Sequence, residues 1–530
     1  MNVIESTELG KGRLDVLAMN SLSAAADWSQ RSFAGPSTAV PGKADSDIQP
    51  QPPSLIKTIP VEILEIVMWE VVKDSQSLSI PHYYDTVTQL RLVCRHWTRV
   101  LEGVPRIWAN LSLSMDERLI DLALSRSMRS PLTITGYLFP SSVLDKLFQH
   151  IYRWKYLDVY LEGDSVLDRF ALHSAPLLEE LRLQPPLSST SRALFNDSAP
   201  MLRIVHLRSC GVEWSASLLS NLHELVLLDV QEGVPDVGTF LKVLASSPQL
   251  TRLRVHSTQL THSPSPQTRV SLSSLSSLEL EYLGQGILKQ LVESIDIPTS
   301  TKCLFSITFD DYESTSIYEQ LEPIGQRLQK LADIARGTTS TLSLSRKQHG
   351  WNVRMTYEGE AHQLGPLAVD VEASPRSNID LLEYFAHQLG QGEPNPVPPI
   401  LHLIDPPYLA NFDNQGEILE RIHNHLPDTD KILMEDASVQ SIEGAFNTLF
   451  PSVPSPRTFL RLSSLTIRKS MHEKWADWIL GRQKRPDVLE GLTPLPLETL
   501  RLEGGVISAE KLTRLEKLVS NLILDRVNVE

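Results

Sequence analysis

Residues 175–210 read APLLEELRLQPPLSSTSRALFNDSAPMLRIVHLRSC, and one pattern occurs in them twice. Leu178, Leu181 and Leu183 take the form L-x-x-L-x-L, and Leu202, Val205 and Leu207 repeat it. Each copy opens on an alanine-proline pair, Ala175-Pro176 and Ala199-Pro200. Apolar residues at alternate positions suit a short strand with one buried face, and a proline ahead of it marks the turn that leads in.

Outward from this stretch the form recurs at Trp154/Leu157/Val159, Leu222/Leu225/Leu227, Leu250/Leu253/Val255 and Leu275/Leu278/Leu280. Its central positions 157, 181, 205, 225, 253 and 278 are spaced by 24, 24, 20, 28 and 25 residues. One such unit cannot bury its apolar side alone, so neighbours are expected to stack into a parallel sheet. Weaker copies precede the series at Leu111/Leu113 and Leu132/Ile134, and the form returns at Leu462/Leu465/Ile467, Leu497/Leu500/Leu502 and Leu522/Leu524.

From about 300 to 450 the period blurs. Strands are expected there at 304–309, 340–345, 351–357, 400–404 and 432–434, and helices at 317–335, 379–389 and 418–426. Because the form returns, one long array with insertions is favoured over a separate α/β domain. The spacing, with Leu207-x-x-Cys210 closing one unit, resembles leucine-rich repeats. That resemblance implies an α/β fold in which residues 112–530 build an irregular solenoid with a curved parallel sheet.

Upstream, residues 1–53 are rich in Ser, Ala, Pro and Gly and are expected to be a disordered tail. Residues 54–111 have a helical pattern. Ile63, Leu64, Val67, Met68 and Val71 fall on one helical side, expected to pack on a local core, while Ile66 and Trp69 stand among Glu62, Glu65 and Glu70. Large apolar groups inside a charged face imply a surface that something else covers. A loop is expected at 77–87 and a second helix at 89–102, stopped by Gly103.

The segments Ile59-Pro60-x-x-Ile63-Leu64, Leu90-x-x-Val93-Cys94-x-x-Trp97-x-x-Val100 and Pro105-x-x-Trp108 together resemble the F-box, in particular that of fungal multi-copy F-box proteins. It departs from that pattern in Ile59, where leucine is usual, and in the length of the 77–87 loop. The resemblance implies a short three-helix module that docks on the Skp-type adaptor of a cullin-based (SCF) ubiquitin ligase, while the repeat region holds a target protein. On this reading Ile59, Pro60, Ile63, Leu64, Ile66, Trp69, Val93 and Trp97 are the adaptor-binding residues. A protein-interaction scaffold outside any ligase is the alternative.

The formal net charge of −15 argues against general binding to nucleic acid or to an anionic membrane, both of which would repel it. Cys94, Cys210 and Cys303 are too far apart for a disulfide framework or a zinc spacing, and no apolar run approaches the ~18 residues of a membrane span. An intracellular protein, cytoplasmic or nuclear, is expected. There is no glycine-rich phosphate loop, nucleophile elbow, His-Glu-x-x-His or Cys-x-x-Cys, so neither an enzyme nor a cofactor is expected. His423 and His425, two apart on an expected helix, point their rings in different directions and are not expected to hold a metal.

One surface remains. In L-x-x-L-x-L the residues between and after the last two apolar positions face away from the core. They include Arg182, His206, Arg208, Arg254 and His256, so an acidic or phosphorylated segment of a target is the expected ligand of the concave face.

Overall fold

The computed structural model describes residues 59–308 except 77–79, 139–140, 162–163, 185–192, 216 and 264–268, and beyond 308 it describes the strands with part of the chain between them. The tail expected at 1–53 lies outside the described residues. Val61–Glu530 form one unit; of residues 1–60 only Ile59 and Pro60 are described.

A single sheet contains 17 strands. The first nine are β1 (Asn110–Ser112), β2 (Leu132–Leu138), β3 (Trp154–Leu161), β4 (Glu180–Gln184), β5 (Ile204–Arg208), β6 (Glu224–Leu228), β7 (Arg252–His256), β8 (Ser277–Glu281) and β9 (Lys302–Thr308). They pair in chain order, and every pairing is parallel. Leu157, Leu181, Val205, Leu225, Leu253 and Leu278 form one continuous row across the strands. None of the six is more than 1% exposed. Burying a side chain of this size stabilises by about 2 kcal/mol, so the row alone is a large driving force for stacking.

Two backbone devices repeat along the sheet. Ahead of three strands the same tight turn closes, with Leu178 N–H donating to Ala175, Leu202 N–H to Ala199 and Leu250 N–H to Ser247. Proline occupies the second position of each turn, where its fixed φ fits. After four strands the next residue is left-handed: Ser209 (φ 52°), Asp229 (55°), Ser257 (45°) and Tyr282 (53°). Their N–H groups still bond to the following strand, at the carbonyls of Leu228, His256, Glu281 and Ser306. The chain leaves the sheet without losing that hydrogen bond, against a conformational cost of roughly 1–2 kcal/mol per residue.

Where the sequence period blurs, the sheet continues with a change of order. β10 (Thr339–Lys347), β11 (Gly350–Glu358) and β12 (Leu367–Glu372) are an antiparallel meander. The meander is set in backwards: β12 pairs parallel with β9, and β10 pairs parallel with β13 (Ile400–Ile404). Parallel order then resumes through β14 (Lys431–Glu435), β15 (Ser464–Arg468), β16 (Thr499–Glu503) and β17 (Asn521–Asp525). All five strands expected between 300 and 450 are present; β12 was not expected.

The helical segment differs from its expected layout. α1 (Val61–Gln76) is followed by α2 (Ile80–Val93), so most of the expected 77–87 loop is helix. The expected 89–102 helix is broken at Cys94, whose backbone is extended (φ −166°, ψ 165°), and α3 (Arg95–Glu102) begins beyond it. Thr98 Oγ1 donates across the break to the Arg91 carbonyl at 2.7 Å. Tyr83 and Tyr84, in the expected loop, are core residues: their hydroxyls donate to the carbonyls of Ile107 (2.7 Å) and Asn110 (2.6 Å). Trp108, 1% exposed, donates from Nε1 to the Leu101 carbonyl at 2.9 Å. These bonds tie α2 and α3 to the segment Ile107–Asn110 that leads into β1.

Candidate functional site

Two surfaces on this scaffold lack a covering within the described chain. The first is on α1. Leu64, Met68 and Val72 recur every fourth residue and are at most 1% exposed. Ile63, Val67 and Val71 each precede one of them and are 50%, 48% and 44% exposed. One residue is about 100° of helix rotation, so the apolar side of α1 is about twice as wide as the part that α2 and α3 cover. Ile66, 53% exposed, widens the ridge further. At the α2–α3 break, Leu92 and Val93 are exposed as well.

Several sequence expectations need correcting here. Leu64 lies in the module core and is closed to a partner, whereas Ile63, Val67 and Val71, expected in that core with it, face outward. Trp69 is half-buried, and the Arg106 guanidinium lies 4.8 Å from its ring centroid, so part of its face is already occupied. Ile63, Ile66 and Val93 are exposed, Pro60 is exposed and Ile59 half-buried. Trp97 is half-buried, its ring N–H without an acceptor among the described residues. Val67, Val71 and Leu92 were missed as surface residues; the signal was the width of the apolar arc, which exceeds what two short helices cover.

The second surface is the open face of the sheet. Along β4 and β7 side chains alternate between buried and half-exposed, and the positions of the open face form rows across the strands. Asp158, Arg182, His206, Val226, Arg254 and Glu279 are in register, as are Arg208, Leu228, His256 and Glu281. The five expected target-binding residues therefore do share a face. Each is paired on it. Arg182 meets Glu180 (2.6 Å), His206 meets Glu224 (3.0 Å), and Arg208 and His256 meet Asp229 (3.7 and 3.5 Å). Arg254 lies between Glu279 (3.1 Å) and Glu281 (2.9 Å).

Carboxylates thus offset the positive charge of the expected Arg182, Arg208 and Arg254 on this face. Asp158, Glu180, Glu224, Asp229, Glu279 and Glu281 outnumber Arg182, Arg208, Arg252 and Arg254. A carboxylate only accepts, so His206 Nε2 carries the proton it shares with Glu224. Burial, helped by Arg182, holds the His206 imidazole below its ordinary pKa despite Glu224. Glu180 and Glu224 went unnoticed because they precede the first apolar position of their strands, yet period two places them on the same face.

The far half of this face was not expected to be special and carries a chain of polar contacts across four strands. His402 on β13 contacts Glu435 on β14 at 3.3 Å; Arg468 on β15 contacts Glu435 at 3.8 Å and Glu503 on β16 at 2.6 Å. Among the described residues no group of three or more His, Cys, Asp or Glu is arranged to hold a metal ion, and no helix is long and apolar enough to cross a membrane. His425 faces His387, with Nδ1 atoms 3.3 Å apart, while His423 lies outside the described residues.

A scan against protein-family models finds no match for this chain, and a search of curated proteins finds none either.

Proposed function

We propose that the chain is a non-catalytic adaptor, the substrate-recognition subunit of an SCF-type ubiquitin ligase. The ridge of Ile63, Val67 and Val71 with Ile66, Leu92 and Val93 docks a Skp-type adaptor, and the open face of the sheet receives a target protein. The observation that carries this reading is the doubled apolar arc of α1, whose inner half is sealed and whose outer half is bare. Exposed apolar area of this kind mostly marks an interaction site, and such interfaces concentrate energy in a few apolar anchors. The sequence resemblance at Ile59–Leu64 and Leu90–Trp108 supplies the identity of the partner.

Affinity purification of the full chain tests it. A Skp-type adaptor together with a cullin is the expected co-purifying pair. The adaptor without a cullin would favour the scaffold alternative; neither protein would remove the reading. Deleting residues 54–111 is a poor control, because it removes Asn110 and Leu111 of β1 together with Tyr84, which bonds to that strand, and Tyr83, which bonds to the turn before it. The surface variant Ile63→Asp/Val67→Asp removes the ridge and leaves those bonds in place.

A further inference from the structure

We propose that the Leu92–Val93 end of the docking surface has a cationic border formed by Arg95 and Arg99, in contrast to the glutamates Glu62, Glu65 and Glu70 on α1, and that the partner's apolar groove is accordingly edged by carboxylates at that end. This rests on the adaptor reading above and deepens it by naming the chemistry of the opposing surface.

Most of the arginines around α3 already have a partner. Arg91 and Arg126 both bind the Glu102 carboxylate, at 3.3 and 3.2 Å, and so link α2, α3 and α4 (Glu117–Arg126). Arg106 covers the Trp69 ring. Arg95 and Arg99 do nothing comparable: both are exposed, and among the described residues neither has an ion pair. They are one helical turn apart on α3, where like charges at this spacing destabilise a helix slightly. Two guanidiniums thus share the Glu102 carboxylate, while Arg95 and Arg99 stand exposed on α3, in a chain whose net charge is −15.

Position makes this cluster relevant. Leu92, 74% exposed, and Val93, 50% exposed, immediately precede the break at Cys94, and Arg95 immediately follows it. α1, with its bare ridge, packs against both α2 and α3. An apolar patch with unpaired guanidiniums at its edge is complementary to an apolar groove flanked by Asp or Glu, where guanidinium and carboxylate pair in bidentate fashion. The overall negative charge does not cancel this attraction. Screening at physiological salt acts over about 8 Å, so a partner at the interface responds to the local cluster.

The test is the binding of a purified Skp-type adaptor to the full chain between 50 and 500 mM NaCl, on the order of one Debye length falling to less than half. The wild-type affinity is expected to fall about tenfold across that range, and Arg95→Glu/Arg99→Glu to bind about tenfold more weakly at low salt with little remaining salt dependence. Arg95→Lys/Arg99→Lys, which keeps charge, is expected to retain most of the affinity. Because both residues are exposed, an unchanged melting midpoint checks that the variants are folded. Wild-type binding that is insensitive to salt and to charge reversal would overturn the cationic border while leaving the adaptor reading intact. Loss of binding in Ile63→Asp/Val67→Asp, with Arg95→Glu/Arg99→Glu binding as the wild type does, would do the same. Absence of wild-type binding at every salt would overturn both. Tighter binding of the Arg pair to a duplex oligonucleotide than to the adaptor would overturn the cationic border too.

Discussion

Tyr84 on α2 donates its hydroxyl proton to the backbone carbonyl of Asn110, the first residue of β1, at 2.6 Å. Its neighbour Tyr83 makes the same kind of bond to Ile107. The helical segment is therefore tied by buried hydrogen bonds to β1 and to the turn that leads into it. Tyr84→Phe leaves a buried carbonyl without its donor and is expected to cost about 1–2 kcal/mol, read from urea unfolding. Burial raises both phenols well above their ordinary pKa. The unfolded chain would release these protons first, so this contribution is intact below pH ~10 and declines as pH rises further.

Arg153 is a buried guanidinium held by neutral groups alone in the bonds it makes to α4 and the turn after it. It is 1% exposed, and it donates to Ser127 Oγ, the Ser130 carbonyl and the Leu124 carbonyl at 2.9, 3.2 and 3.3 Å. It thereby satisfies the open C-terminal end of α4 from the next strand connection. Arg153→Ala is expected to lower stability by about 3 kcal/mol, and Arg153→Lys, which lacks the fork of donors, to recover little of it. Thermal unfolding of the two variants checks this.

The backward meander has a point of close approach at Gly365, just before β12. A Cβ there would lie 2.1 Å from the Thr301 carbonyl oxygen, at the start of β9. Gly365→Ala is therefore expected to cost about 2 kcal/mol or more, since backbone must move to accept it. A neutral effect in a denaturant titration would argue against β12 lying beside β9.

Two histidines of the open face give a pH dependence with a definite sign. Burial holds His206 and His402 below the ordinary histidine value, in each case against a nearby glutamate. As pH falls through ~6.5 the unfolded chain takes up these protons before the folded one, so stability is full above that pH and decreases below it. His206→Gln and His402→Gln together are expected to flatten the stability profile between about pH 6.5 and 5, measured by urea unfolding.

The legible part of this fold was the row of buried positions, because period two and a spacing of two dozen residues leave little choice of register. The devices that turn the chain off the sheet were not legible. Ser209, Asp229, Ser257 and Tyr282 all adopt the left-handed region without glycine, and no common residue type marks them. Tyr83 and Tyr84 read as loop because Ser, Pro, His and Asp surround them, although Pro81 stands in the first turn of α2, where proline is tolerated. The open face was misjudged for a different reason. Counting only two positions per strand recovers Arg182, Arg208 and Arg254 and leaves out Glu180, Glu224 and Arg252, which share the face.

Titration calorimetry of a purified Skp-type adaptor into the full chain is the most direct measurement, with Ile63→Asp/Val67→Asp and Leu64→Ala as companions. The expected result is one adaptor bound per wild-type chain and a loss of at least about 100-fold in affinity for the Asp pair, the size of two lost apolar anchors. The melting midpoint of the Asp pair should stay unchanged, while Leu64→Ala should lower stability by about 2–5 kcal/mol. Equal affinity of wild type and the Asp pair, or no binding by the wild type, would contradict the proposal that the bare side of α1 is where this protein meets its partner.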